Sequence, residues 1–70
     1  MRAETMKNIS LTEKAINNLP YQYRILRSCQ TKDMDGILRE CVKIVWYDGR
    51  LARISLFDSA TGEYITDDWR

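Results

Sequence analysis

The stretch 41–57, CVKIVWYDGRLARISLF, decides how the rest of the chain is read. Two runs rich in Val, Ile, Trp, Tyr and Phe flank an Asp48-Gly49 pair, which predicts a β-hairpin. A two-residue Asp48-Gly49 loop would set Ile44 opposite Arg53 and Lys43 opposite Ile54, mixing charge and apolar bulk on both faces. A three-residue Tyr47-Asp48-Gly49 loop, a type I turn with Gly49 left-handed and one bulged residue, instead pairs Trp46 with Arg50, Ile44 with Ala52 and Val42 with Ile54. It gathers Val42, Ile44, Trp46, Ala52, Ile54 and Leu56 on one face, with Lys43, Val45, Arg53 and Ser55 on the other. A one-residue slip exchanges the faces, so the apolar pattern favours the bulged turn.

Upstream, Ser10-Leu11-Thr12-Glu13 fits a capping box, with Ser10 accepting from the Glu13 amide. Leu11, Ala15, Ile16 and Leu19 then fall on one stripe, and Pro20 stops the helix, giving an expected span of 10–19. A helix of about ten residues is not stable alone in water and must dock, with the apolar sheet face as its seat. Residues 21–29 alternate Tyr21, Tyr23, Ile25, Arg27 against Gln22, Arg24, Leu26, Ser28, which reads as a strand. Asp35-Gly36 marks a turn. Segment 37–41 reads equally as the end of a second short helix over 33–41 or as part of a long strand, because Leu, Arg and Glu favour one and Val, Ile and Trp the other.

Downstream, 57–64 (FDSATGEY) has turn chemistry: Asp58 can accept from turn amides, and Gly62 can take the left-handed position. A third hairpin strand over 64–66 follows, then a polar tail from Asp67 that carries Trp69. The expected fold class is α+β: a short N-terminal helix packed on a small antiparallel β-meander of 21–29, 42–47, 50–57 and 64–66. Seventy residues make a single small domain over 1–70, with 1–8 loosely ordered. A chain this size buries only about 60% of its unfolded surface, so a homodimer is among the expected partners.

Net charge is +1, which gives no global reason to seek nucleic acid or membrane. The charge is uneven: residues 21–53 hold seven Lys or Arg against four acids, whereas Asp58, Glu63, Asp67 and Asp68 follow with only Arg70 to oppose them. No apolar run reaches membrane-span length and no secretory leader is visible, so a cytoplasmic protein is expected. Cys29 and Cys41 lack metal-type spacing and read as reduced, semi-buried thiols.

The chain has no histidine, which removes the usual general base and the nucleophile pairs built on it. Three isolated glycines cannot make a phosphate loop. Asp33-Met34-Asp35-Gly36 fails as a calcium loop, because Thr31 and Val42 stand where a first ligand and a bidentate Glu belong. The sequon Asn8-Ile9-Ser10 has no meaning without secretion. Asp58, Glu63, Asp67 and Asp68 read as a solvated acidic end. No catalytic residue, metal or cofactor is expected, and the protein is not read as an enzyme.

What remains is a surface argument. Tyr21, Tyr23, Tyr47 and Trp69 are many large aromatics for a small core that also takes Trp46, and Arg24, Arg27, Arg50 and Arg53 stand among them. Aromatic residues and arginine are enriched at binding hot spots. Against this, tyrosines often cap a core edge and arginines often line a merely solvated face. The reading is a non-catalytic protein-binding module, a small intracellular regulator or inhibitor that occupies a surface on a larger protein. The alternative is a nucleic-acid-binding protein, with Arg24, Arg27, Lys43, Arg50 and Arg53 on one basic sheet face and the tyrosines as stacking platforms.

Overall fold

Gly49 and Arg50 form the loop of the central hairpin: Asp48 pairs with Leu51 and Tyr47 with Ala52. Gly49 sits at φ +67° and, among the described residues, no non-glycine has a positive φ, the requirement of a two-residue turn with glycine first. Neither register read from the sequence is adopted. Val42 faces Phe57, Ile44 faces Ser55 and Trp46 faces Arg53, whereas Ala52, Ile54 and Leu56 lie on the opposite face. The reason is where the largest rings go: in this register Phe57 and Trp46 share a face and meet edge to face at 6.5 Å.

The computed structural model of the protein describes residues 11–68. Within them α1 (Glu13–Asn18) is followed by β1 (Tyr23–Lys32), β2 (Leu38–Asp48), β3 (Leu51–Asp58) and β4 (Tyr64–Asp67). The four strands form one antiparallel sheet in the order β1-β2-β3-β4. This is the expected meander with one short helix, at strand bounds that differ from those read. Residues 38–41 are strand, Ile37 lies just before it, and no helix forms over 33–41, because β1 runs to Lys32 and pairs residues 38–41 directly. Asp67 belongs to β4 rather than to a tail. The expected Ser10 cap, the loose 1–8 segment, the sequon and Trp69 lie outside the described residues.

Thr12 caps the helix, and its hydroxyl accepts from the Ala15 amide at 3.1 Å. Ala15 and Leu19 are buried, Leu11 packs on the core, and Ile16 faces out at 48% exposure, so the expected stripe loses one member. The short helix is held from outside itself. Thr12 donates to the Ala60 carbonyl at 2.5 Å and Asn18 to the Thr61 carbonyl at 2.7 Å. Its Leu19 then joins Val42, Ile44 and Phe57, with Tyr23, Ile25 and Trp46 around them.

Two turns behave as their sequences promise. Asp33 Oδ1 accepts from the Asp35 and Ile37 amides, and Asp58 Oδ1 from those of Ala60 and Thr61. Gly62 takes φ +77°, as expected. The second oxygen of each aspartate holds Arg39, at 2.6 and 3.0 Å, so one guanidinium ties both turns together.

Two one-residue irregularities complete the sheet. Between Ile25 and Arg27 the β1–β2 register shifts at Leu26, which puts Arg27 beside Lys43 on the face of Arg24. Simple alternation had placed Arg27 with Tyr23 and Ile25. Between Leu56 and Phe57 the β3–β4 register shifts at Ile65, so Tyr64 and Asp67 come to one side.

Candidate interaction site

Trp46 stands near the end of β2 on the helix-facing side, and its surroundings follow from the register. Its indole N–H donates to Ser55 Oγ at 3.0 Å, and Ser55 donates to Asp67 Oδ1 at 2.7 Å. Asp67 also accepts from the Tyr64 hydroxyl at 2.8 Å and from Arg53 at 2.5 Å. Arg53 reaches Asp48 at 3.1 Å and lies over the Trp46 ring, 5.3 Å from its centroid. Its Nε is buried without a hydrogen-bond partner among the described residues.

Charge settles around this hub. The Arg53 guanidinium first, then the Ser55 and Tyr64 hydroxyls, hold the Asp67 carboxyl down at about 2. The same carboxylate raises the Tyr64 hydroxyl, and Asp67 and Asp48 keep Arg53 charged. Arg39 lowers Asp33; for Asp58, burial acts upward but is outweighed by the Ala60 and Thr61 amides and Arg39.

These shifts predict an acid limit to stability. An aspartate in the unfolded chain takes up its proton near 3.8, but Asp67 in the fold does so only near 2. Its contribution is therefore whole above about pH 4 and is lost as the pH falls towards about 2, with Asp33 and Asp58 acting in the same direction. Urea midpoints measured from pH 6 down to pH 2 should fall below about pH 4, and Asp67→Asn should flatten that fall. An unchanged slope in Asp67→Asn would show that Asp67 is not the titrating group.

Two shallow grooves flank Trp46. One, of about 460 Å³, is lined by Asn18, Leu19, Pro20, Trp46, Arg53, Phe57 and Tyr64. The other, of about 300 Å³, is lined by Gln22, Tyr23, Arg24, Val45, Trp46 and Tyr47. Three residues singled out in the sequence, Tyr23, Arg24 and Tyr47, thus share one groove. Tyr21, 97% exposed, precedes β1 at the end of the sheet where β2 finishes, and Arg50 sits in the turn at that same end. Tyr47 is 61% exposed there and Leu51 70%, so this end presents apolar surface beside cations.

The other expected residues lie elsewhere. Arg27 is exposed, but beyond the Leu26 shift and away from the groove. Arg53 is on the helix-facing side, opposite Arg24 and Arg27, because Trp46 and Asp67 hold it there. Lys43 is buried and reaches Asp68 at 3.1 Å, so it does not join a basic face. The acidic residues separate as well: Asp67 serves Arg53, Asp58 serves its turn and Arg39, and Asp68 serves Lys43.

Reading the sequence alone missed Trp46 as a wall of both grooves, and missed Pro20, Phe57 and Tyr64 beside it. No local signal places them, since strand register and the Ile65 irregularity bring them together. What the two grooves can do is stack planar or aliphatic groups against the rings and hold an anionic or carbonyl group at Arg24. Comparison with protein-family models, with curated proteins and with solved structures finds no match to this chain.

Proposed function

We propose that this chain is a non-catalytic binding module, a small intracellular regulator or inhibitor that acts by occupying a surface on a larger protein. The observation that carries the reading is the shared groove of Tyr23, Arg24 and Tyr47, with Tyr21, Arg50 and Leu51 exposed at the same end of the sheet. Rigid aromatic rings beside arginine supply contact area at little entropic cost, which is how hot spots form.

The neighbouring edge gives the partner a chemical character. β1 is an outer strand of ten residues that carries Arg24, Arg27 and Lys32 and no acid. A second copy pairing along this edge would set like charges against each other, whereas an extended acidic segment would meet them favourably. A homodimer therefore fits better through another surface, and light scattering at tens of micromolar separates monomer from dimer.

The test is quantitative capture of lysate proteins on the full chain and on an Arg24→Glu, Tyr47→Ala variant shown by circular dichroism to be folded. Loss of a central hot spot of about 2 kcal/mol should lower affinity for a specific partner about 30-fold. Equal recovery on both baits would overturn the reading. The nucleic-acid alternative has weaker support, because Lys43 and Arg53 are engaged by Asp68, Asp67 and Asp48. Oligonucleotide binding that weakens linearly in log[salt] would favour it nonetheless.

A further inference from the structure

Cys29 and Cys41 are direct partners across the β1–β2 ladder, and their sulfurs lie 3.1 Å apart. Opposed residues of an antiparallel pair have Cα atoms about 4.5–5.5 Å apart, inside the span a disulfide bridges without backbone movement. The two sulfurs differ in access: Cys41 is 1% exposed, whereas Cys29 is half-buried on the outer strand. The Cys41 thiol also donates towards the Cys29 carbonyl at 3.4 Å, which keeps its sulfur turned to β1.

From this geometry we infer that Cys29 and Cys41 form a dithiol modification site, oxidised to an intramolecular disulfide by small-molecule disulfides with Cys29 reacting first. The Cys29 thiolate attacks one sulfur of the oxidant RSSR; the oxidant's S–S bond breaks, and the thiolate that leaves takes up a proton as RSH. The Cys41 thiol then gives up its proton and attacks the Cys29 sulfur of the mixed disulfide, and the second RSH departs. Two protein thiols are oxidised and one RSSR is reduced to two RSH. Burial first, then the neighbouring Cys29 thiol, pushes Cys41 up to about 12, which keeps it from reacting with oxidants in solvent; contact with the Cys29 sulfur, not acidity, is what lets it resolve the mixed disulfide.

The consequence reaches the proposed binding surface. In the described sheet β1 pairs with β2 alone, and it carries Tyr23 and Arg24. An outer strand is where local opening starts. The bond would tie this strand to the centre of the sheet.

The experiment treats the full chain with excess oxidised glutathione at about pH 8, then blocks remaining thiols and measures intact and tryptic masses. The expected product has lost two hydrogen atoms, joins tryptic peptides 28–32 and 40–43, and reverts with dithiothreitol. Hydrogen exchange on β1 amides should slow about tenfold in that product. In single variants, Cys29 of Cys41→Ala should take up glutathione at least about tenfold faster than Cys41 of Cys29→Ser. Glutathione adducts on both cysteines, disulfide-linked dimers, or thiols untouched by an oxidant that modifies the urea-unfolded chain would each overturn the inference. The wild-type product decides the matter by itself if either variant does not fold.

Discussion

Replacing Gly62 with alanine is expected to destabilise the protein by about 4 kcal/mol, the sum of two independent penalties. The first is conformational: Gly62 holds φ +77°, a region costing a non-glycine residue about 1–3 kcal/mol. The second is steric. A Cβ there would collide with the Ala15 carbonyl oxygen and approach Asn18 Cβ at 2.8 Å and Ala15 Cα at 2.9 Å, and backbone cannot swing aside as a long side chain can. Relief would require lifting α1 away from the β3–β4 loop, with loss of the Thr12 and Asn18 hydrogen bonds and of Leu19 from the core. Gly49→Ala is the matched control. Gly49 has φ +67° but open space around it, so only the conformational penalty of about 1–3 kcal/mol applies. A domain of this length has a total stability of roughly 4–10 kcal/mol, so the Gly62 variant should lose between about two fifths and all of it. Urea denaturation of both variants measures the difference. A Gly62→Ala midpoint equal to that of Gly49→Ala would mean that the helix does not sit against this loop.

Phe57→Ala is the second large effect, at about 3–5 kcal/mol. Phe57 is 5% exposed, meets Trp46 and Tyr64 edge to face at 6.5 and 5.6 Å, and stands in the cluster that receives Leu19. Ile54, three residues earlier on β3 and on the other face, is only half-buried, so Ile54→Ala should cost about 1–2 kcal/mol. The ranking distinguishes hairpin registers, since a bulged turn would put Ile54 in the core and Phe57 outside it. Trp46 fluorescence should respond to Phe57→Ala and stay nearly constant in Ile54→Ala. A larger loss from Ile54→Ala would refute the register.

Local chemistry determined more of this protein than its short length suggests. Asp58 and Gly62 declared their turn, because an aspartate that accepts from amides two and three residues on and a glycine at positive φ need no distant partner. Asp35-Gly36 likewise placed a turn, though the accepting aspartate is Asp33. The four-strand meander and the docked N-terminal helix were legible from alternation, glycine positions and Pro20. So were Tyr23, Arg24 and Tyr47 as residue types worth following.

Tertiary structure decided everything that depends on register. Periodicity of two sorts side chains into two sets but does not say how two strands slide past each other. Here the slide is set by contacts far apart in sequence: Phe57 against Trp46, Arg53 between Trp46 and Asp67, and Lys43 with Asp68. The shifts at Leu26 and Ile65 then break the alternation itself, moving Arg27 to one face and bringing Tyr64 and Asp67 to the other. The groove of Trp46, Arg53, Phe57 and Tyr64 is a product of that slide, whereas the thiol contact of Cys29 and Cys41 and the groove of Tyr23, Arg24 and Tyr47 follow from how β1 slides past β2; a displacement of one residue would abolish them.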